Sequence, residues 1–266
     1  MHLEKILDEY ILEDIQNPEH PSDFTATDEH SLLILRLPEI VNNTIKIISY
    51  AFIVQGNSCY LYERDKADFK ELGSLEDMNH FLDIKTEKLI REIKLYYLEI
   101  DMLEDSLYEH SFSNDFMSQW LAYKKDLSLV HRLIFDAALS FDLFINYHKK
   151  STTFEELAYA DVHEHMERIR DLSKASLDKL DHLYNFYRAK VDEKMNRNIY
   201  YLTLLSGIFL PLTLVSGFFG MNTGGLPYTD DADGTLKVVG ISLILEIIVF
   251  LPFLLNGMKK SKKYKR

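Results

Sequence analysis

Residues 199–219 read IYYLTLLSGIFLPLTLVSGFF, 21 positions without a charged side chain. As a helix rising 1.5 Å per residue the stretch spans about 30 Å, the thickness of a bilayer's hydrocarbon core. The uncharged run extends on both sides, because no Asp, Glu, Lys or Arg stands between Arg197 and Asp230. A buried helix of a soluble protein is the alternative reading, and the length and absence of charge favour a membrane span over it. A second apolar stretch, residues 238–255, is interrupted only by Glu246 and leads into a tail in which six of the last eight residues, 259–266, are Lys or Arg. Two spans make a hairpin. The basic tail places the C-terminus in the cytosol, and an even number of crossings places the N-terminus there too. Residues 1–10, MHLEKILDEY, are too acidic and too weakly apolar for a signal peptide.

The connection between the spans, residues 220–236, then faces outside, and its Asp230, Asp231 and Asp233 are a candidate collector of external cations. Two crossings cannot enclose a pathway on their own. Conduction requires several copies around an axis, so transport as a function implies a homo-oligomer. The rival reading is a hairpin that only anchors a cytosolic body, a non-conducting membrane-anchored metal sensor.

The formal charge of −12 is unevenly spread. Residues 1–198 hold 38 Asp+Glu against 23 Lys+Arg, whereas residues 199–258 hold only Asp230, Asp231, Asp233, Lys237 and Glu246. An acidic body argues against nucleic acid as a partner, since phosphate binding needs a basic footprint, and it suits cations. The basic tail suits anionic lipid at the inner leaflet. Cys59 is the single cysteine, so neither an intrachain disulfide nor a Cys-based zinc site within one subunit is available. No nucleophile, phosphate loop or catalytic His/carboxylate constellation stands out, so an enzyme is not expected.

The fold class reads as α+β: a small N-terminal α/β cytosolic domain over residues 1–83, a long-helix cytosolic stalk over 84–198, a two-helix transmembrane hairpin over 199–258 and a basic tail over 259–266. Leu32 to Leu37 is strand-like and ends at Pro38; Ile45 to Val54 and Ser58 to Glu63 flank Gln55-Gly56-Asn57, a hairpin signal. From about Leu75 the apolar period becomes helical. Leu82, Leu89, Ile93, Leu98 and Leu103 mark one long segment; Trp120, Leu121, Leu127, Leu133, Ile134, Ala138, Leu143 and Ile145 mark another. A third helix starts near residues 151–155, with Thr152 as cap and Glu155 three positions later. No Gly or Pro occurs between Ser151 and Ser206, so this helix continues through Leu172, Leu180, Tyr187, Val191 and Met195 into the first span, unless a break falls within 174–188. A helix from Phe154 to Phe219 is about 100 Å long and needs neighbours, both within the chain and from other copies, giving a funnel of helices.

Gly220-Met221-Asn222 after the first of two C-terminal spans, the preceding residues 208–213 (IFLPLT), the long helix before them and the basic tail together resemble the CorA family of divalent metal-ion (magnesium, zinc, cobalt) transporters. Residues 17–22 (NPEHPS) leading to 32–38 (LLILRLP) are similar to the family's N-terminal domain, which is usually longer. Residues 161–165 (DVHEH) resemble the family's Arg-Asp-Val-Tyr-Asp-His stretch. The resemblance implies a homopentamer in the inner (cytoplasmic) membrane, its five first spans lining the pore and its second spans facing lipid. It makes Asn222 the selectivity residue, with Gly220 and Met221 shaping its loop; a simple helix cap is the alternative for Asn222. An amide ring suits Mg²⁺, which gives up its waters reluctantly. Matching the family's pore helix back from Pro211 turns Asn196, Ile199, Leu202, Ser206, Leu210 and Thr213 toward the axis, with Ile199 and Leu202 as a dewetting constriction. The spacings of three and four keep these residues on one helix face. Asp161 falls where the family carries an acid that binds regulatory Mg²⁺ between neighbouring cytosolic domains; a solvated helix face is the alternative. Mg²⁺ is thus both substrate and regulatory ligand, with no further cofactor.

Two departures bear on the ion. After Asn222 the chain reads Thr223-Gly-Gly-Leu-Pro227 rather than the acidic loop of the better-known magnesium channels, which is similar to the ZntB branch associated with zinc. Zn²⁺, Co²⁺ or Ni²⁺ are therefore rival substrates. Glu246 lies mid-span, where an ionised carboxylate costs roughly 3 kcal/mol, so it is either protonated or paired, turning inward to a hydroxyl of the first span; a proton-coupling role fits a transporter. His163 and His165, two apart on a helix, point to different sides and do not make a local two-histidine metal site.

Overall fold

The computed structural model describes residues 8–41, 44–108, 115–152, 154–221, 225–228 and 231–263. A short helix α1 (Glu9–Gln16) precedes five strands, β1 (Asp23–Ala26), β2 (Ser31–Val41), β3 (Thr44–Gln55), β4 (Ser58–Glu63) and β5 (Asp68–Ser74). Four long helices follow: α2 (Leu75–Tyr108), α3 (Phe116–His148), α4 (Glu156–Phe219) and α5 (Gly234–Lys263). The chain divides into two compact units, Met1–Tyr187 and Arg188–Arg266, with α4 running through the boundary.

In the first unit the strands form an antiparallel meander in the order β1-β2-β3-β4-β5. The expected hairpin closes at Gly56, whose φ of +60° favours a residue without a Cβ. Residues 32–35 of β2 are buried in succession because both sheet faces are covered. Leu33, Leu35, Phe52 and Val54 point into the large cluster shared with the helices, while Leu32, Ile34, Ala51 and Ile53 meet Ile15 of α1. β2 does not end at Pro38 as expected; it pairs on to Val41, with Pro38 opposite Ile47. The proline is tolerated because β1 pairs only with Ser31–Ile34, leaving one edge of β2 open at Pro38.

The helical expectations need two corrections. Leu98, Leu121 and Leu143 are exposed, since α2 buries Ile93, Tyr96, Ile100 and Leu103 and α3 buries Leu127, Val130, Ile134, Phe141 and Phe144; the three leucines sit off those stripes. α4 runs on through Val191 and Met195 as expected, both of them exposed within the chain. Thr152 does not cap α4, which starts at Glu156 with the Glu155 carbonyl accepting from Ala158 and Tyr159. The delay has a packing cause: Phe154 is buried against the rings of Phe144, His148 and Tyr159, which holds it outside the helix.

Cross-links between helices are specific. Trp120 Nε1 donates to the Leu180 carbonyl at 2.8 Å, and Tyr159 Oη donates to the Leu75 carbonyl at 2.7 Å. Lys179 reaches Asp101 and Glu104 of α2 together, the latter at 2.6 Å, and lies 5.3 Å from the Tyr97 ring centroid. Burial disfavours the Lys179 charge, but the two carboxylates outweigh it and raise its pKa.

Candidate functional site

Asp161 and His165 stand one turn apart on α4, so they share a helix face. That face meets Asp83 of α2: His165 Nδ1 lies 3.2 Å from Asp83 Oδ1, and His165 Nε2 lies 3.9 Å from Asp161 Oδ2. One donor atom from each of the three falls within 4.8 Å of the others. Asp83 Oδ1 is buried and makes no hydrogen bond, the His165 contact being at ion-pair distance without hydrogen-bond geometry. Such an oxygen carries a desolvation cost that a cation removes. The donor set of one imidazole and two carboxylates fits a divalent metal, and the ring nitrogen suits Zn²⁺, Co²⁺ or Ni²⁺ better than all-oxygen Mg²⁺ chemistry does. Asp161 is the most exposed of the three, at 64% of its side chain, which leaves coordination positions open to water. The sequence reading compared His163 with His165 and missed the i, i+4 pair Asp161/His165; Asp83 arrives from a distant helix and carried no local signal.

In the second unit no residue of α4 is buried. Leu204, Ile208, Leu212, Val215 and Phe219 are partly covered and repeat at three- and four-residue spacing, so one face of this segment is sheltered. Asn196, Ile199, Leu202, Ser206, Leu210 and Thr213 are all exposed, and at 100° per residue they centre about half a turn away from the sheltered face. The hydroxyls of Thr203, Ser206 and Thr213 donate to carbonyls one turn earlier in α4, which satisfies these three protons on an apolar surface. Pro211 stands inside the helix with Gly207 one turn before it, the position where its ring crowds the backbone.

α4 ends at Phe219; Gly220 N–H closes the last turn on the Ser216 carbonyl at 2.9 Å, and Met221 is exposed. Asn222 and Asp230 lie outside the described residues. Asp231 is not free to collect cations, because Lys237 of α5 holds it at 2.6 Å. Asp233 immediately precedes α5, where a carboxylate meets the positive end of the helix dipole. Lys237 received no role from the sequence reading, although its six-residue separation from Asp231 across a helix start was visible. Glu246 is partly covered and follows Val238 and buried Ser242 at four-residue steps, so it sits on the sheltered face of α5. The Ser242 hydroxyl donates to Val238, and the Thr203, Ser206 and Thr213 hydroxyls donate within α4, so none of these four protons is spent on Glu246. The side chains of the basic tail lie outside the described residues. α4 contains a segment long and apolar enough to cross a membrane.

The chain is similar to several known proteins. A family model described as CorA-like Mg²⁺ transporter protein matches residues 3–260. The zinc transport protein ZntB of Vibrio parahaemolyticus is 26% identical over 169 residues, 64% of this chain and 52% of its own. The cobalt/magnesium transport protein CorA of Thermotoga maritima is 30% identical over 95 residues, 35% of this chain and 27% of its own. The chain thus spans about half the length, or less, of these curated relatives. The solved structure of the CorA magnesium transporter from Methanocaldococcus jannaschii superposes with a TM-score of 0.76 at 18% identity, covering 94% of this chain and 84% of that one, a likeness of fold.

Proposed function

The chain belongs to the CorA-like Mg²⁺ transporter protein family, and from that premise we propose that it carries divalent cations across the inner membrane as a homopentamer. Mg²⁺ is the proposed first substrate, and both termini are cytosolic. The observation that carries this reading is α4, a single 64-residue helix that leaves a buried core, becomes uncharged and ends at Phe219, directly before Gly220-Met221-Asn222. Its exposed face of Asn196, Ile199, Leu202, Ser206, Leu210 and Thr213 suits a pore lining contributed by each of several copies. Ile199 and Leu202 supply an apolar constriction that gates by dewetting, and Ser206 and Thr213 supply polar rungs. Asn222 carries the proposed selectivity, its amide oxygen accepting from the waters of a hydrated ion.

Asp83, Asp161 and His165 are the proposed regulatory site. A divalent ion there neutralises two carboxylates on different helices and favours the arrangement in which α2 and α4 are drawn together, so internal ion concentration sets the population of the closed state. A second substrate, Zn²⁺, is favoured by one specific observation, the Thr223-Gly-Gly-Leu-Pro227 sequence in place of an acidic loop, and the ZntB relative accords with it.

The test is the full chain in liposomes loaded with Mg²⁺- or Zn²⁺-responsive dyes. Flux of one ion, reduced at least tenfold by Asn222→Ala, is expected. Absence of flux for both ions would leave the anchored sensor as the function.

A further inference from the structure

The connection into α5 is held by contacts that the transport reading does not use. Tyr228 has φ +67°, a left-handed backbone that a bulky side chain adopts only when its surroundings hold it there. Two contacts reach it directly. Gly234 approaches the Tyr228 carbonyl so closely that a Cβ on residue 234 would lie 1.8 Å from that oxygen. Lys237 Nζ stands 5.7 Å from the centroid of the Tyr228 ring, within cation–π range, and 2.6 Å from Asp231 Oδ2. The first turn of α5 is stitched to the same segment by Gly234 N–H to the Asp231 carbonyl at 3.0 Å and Lys237 N–H to the Asp233 carbonyl at 3.1 Å. Beneath these residues is a cavity of about 430 Å³, walled on one side by Ser216, Phe219 and Gly220 from the end of α4 and on the other by Tyr228, Asp231 and Gly234.

We propose that Lys237 is a positioning residue of the outer loop: it clasps Asp231 and the Tyr228 ring onto the first turn of α5, and thereby fixes the wall that faces the Gly220 end of α4. The functional part of this inference rests on the transport reading above. A fixed wall at Gly220 determines how the loop that follows it is presented to an arriving ion, and Lys237 does this without touching the ion, its charge being cancelled by Asp231. Two effects of removing Lys237 are separable. One is electrostatic, the release of a carboxylate that attracts cations. The other is positional, the loss of the clasp. Replacing both partners by neutral residues restores the charge balance but not the clasp.

The experiment is hydrogen exchange by mass spectrometry over residues 231–239 of the full chain in detergent, followed by ion flux of the same preparations in liposomes. Lys237→Gln, Asp231→Asn and the double variant are each expected to speed exchange of the Gly234 and Lys237 amides by about fivefold, the scale of one partly exposed ion pair with a cation–π contact. Lys237→Arg and Tyr228→Phe retain the parent rate. Gly234→Ala, which drives a methyl into the Tyr228 carbonyl, exchanges at least as fast as Lys237→Gln. Parent-like exchange in the double variant would overturn the clasp, as would effects of the two single changes that multiply instead of coinciding. In flux, the double variant is expected to follow Lys237→Gln; a double variant that transports like the parent while Lys237→Gln does not would make the effect one of charge alone and overturn positioning. If the parent carries no ion, the transport reading fails and the exchange data still decide whether the clasp exists.

Discussion

Residues 156–187 and 188–219 are equal halves of one helix, yet they have opposite relations to their own chain. The first half buries Tyr159, Val162, Met166, Ile169, Ser173, Ser176, Leu180 and Leu183 in a stripe and puts its many charges on the remaining surface. The second half buries nothing, although from Ile199 onward it is the more apolar; Leu202, Leu210 and Leu214 are at least 64% exposed. An apolar stripe with a charged back is completed by one chain, whereas a segment apolar all round is of the kind that a protein core or a membrane covers. The same element is thus a core helix at one end and an unfinished surface at the other.

The largest expected effect separates the halves by stability. Ile169→Ala removes a fully buried side chain and should cost 2–5 kcal/mol of the first unit's unfolding free energy. Ile199→Ala, half-exposed on the chain, should change it by less than about 0.5 kcal/mol. Trp120 is the sole tryptophan and bonds to Leu180, so its fluorescence in a denaturant titration reports the first unit directly. Equal losses for the two substitutions would dissolve the contrast.

The second expectation concerns the proposed metal site, which lies wholly on the first half and α2. Asp83→Asn and His165→Ala should each weaken divalent-ion binding to the full chain about tenfold or more, the cost of a lost ligand or its orienting partner. Isothermal titration with Zn²⁺ and with Mg²⁺ measures it. A site that loses Zn²⁺ but not Mg²⁺ affinity in His165→Ala would show that the imidazole is a ligand; unchanged affinity for both ions in all variants would remove the site.

How legible these features were depends on their range. The hairpin at Gly56, the switch to helical period at Leu75 and the uninterrupted course of α4 follow from residues close in sequence, and all are present. Local pattern failed where long-range packing decided. Pro38 reads as a strand end because nothing near it tells that the pairing of β1 with β2 stops at Ile34, and Thr152 reads as a cap because the aromatic cluster that takes Phe154 gathers residues from two helices. The site behaved in the same way. Asp161 and His165 were within reach of a periodicity argument; Asp83, nearly eighty residues earlier, was not. Lys237 was overlooked because one cation among apolar residues reads as a helix end until its two partners are seen beside it.

A third expectation follows from His148 at the end of α3. Burial lowers its pKa below the ordinary 6.5, and its Nε2 lies 2.9 Å from Ser31 Oγ among the rings of Phe144, Tyr147 and Phe154. A group whose folded value is depressed favours the fold fully above its unfolded pKa. As pH falls through 6.5 the unfolded chain takes the proton first, and stability declines until the folded ring is protonated as well. Thermal midpoints between pH 7.5 and 5 should therefore fall in the parent and fall less steeply in His148→Phe, which keeps the aromatic contacts. An identical slope in the variant would assign the acid sensitivity elsewhere.

The smallest expected effect is also the most selective for the contrast between the halves. Lys124 of α3 meets Asp181 of α4 at 2.6 Å, with the aspartate more than half exposed. Such a pair contributes about 0.5 kcal/mol and is screened by salt. A double-mutant cycle with Lys124→Met and Asp181→Asn should return a coupling of that size at low ionic strength and close to zero in molar salt. Lys179, held by two carboxylates and less exposed, should keep more of its coupling under the same conditions. No equivalent exists between Arg197 and Asp230, where there is no charge to pair. Salt should therefore loosen the cross-links of the first half and leave residues 199–219 unaffected, and a salt-sensitive 199–219 would mean that its neighbours include charged groups from outside the span.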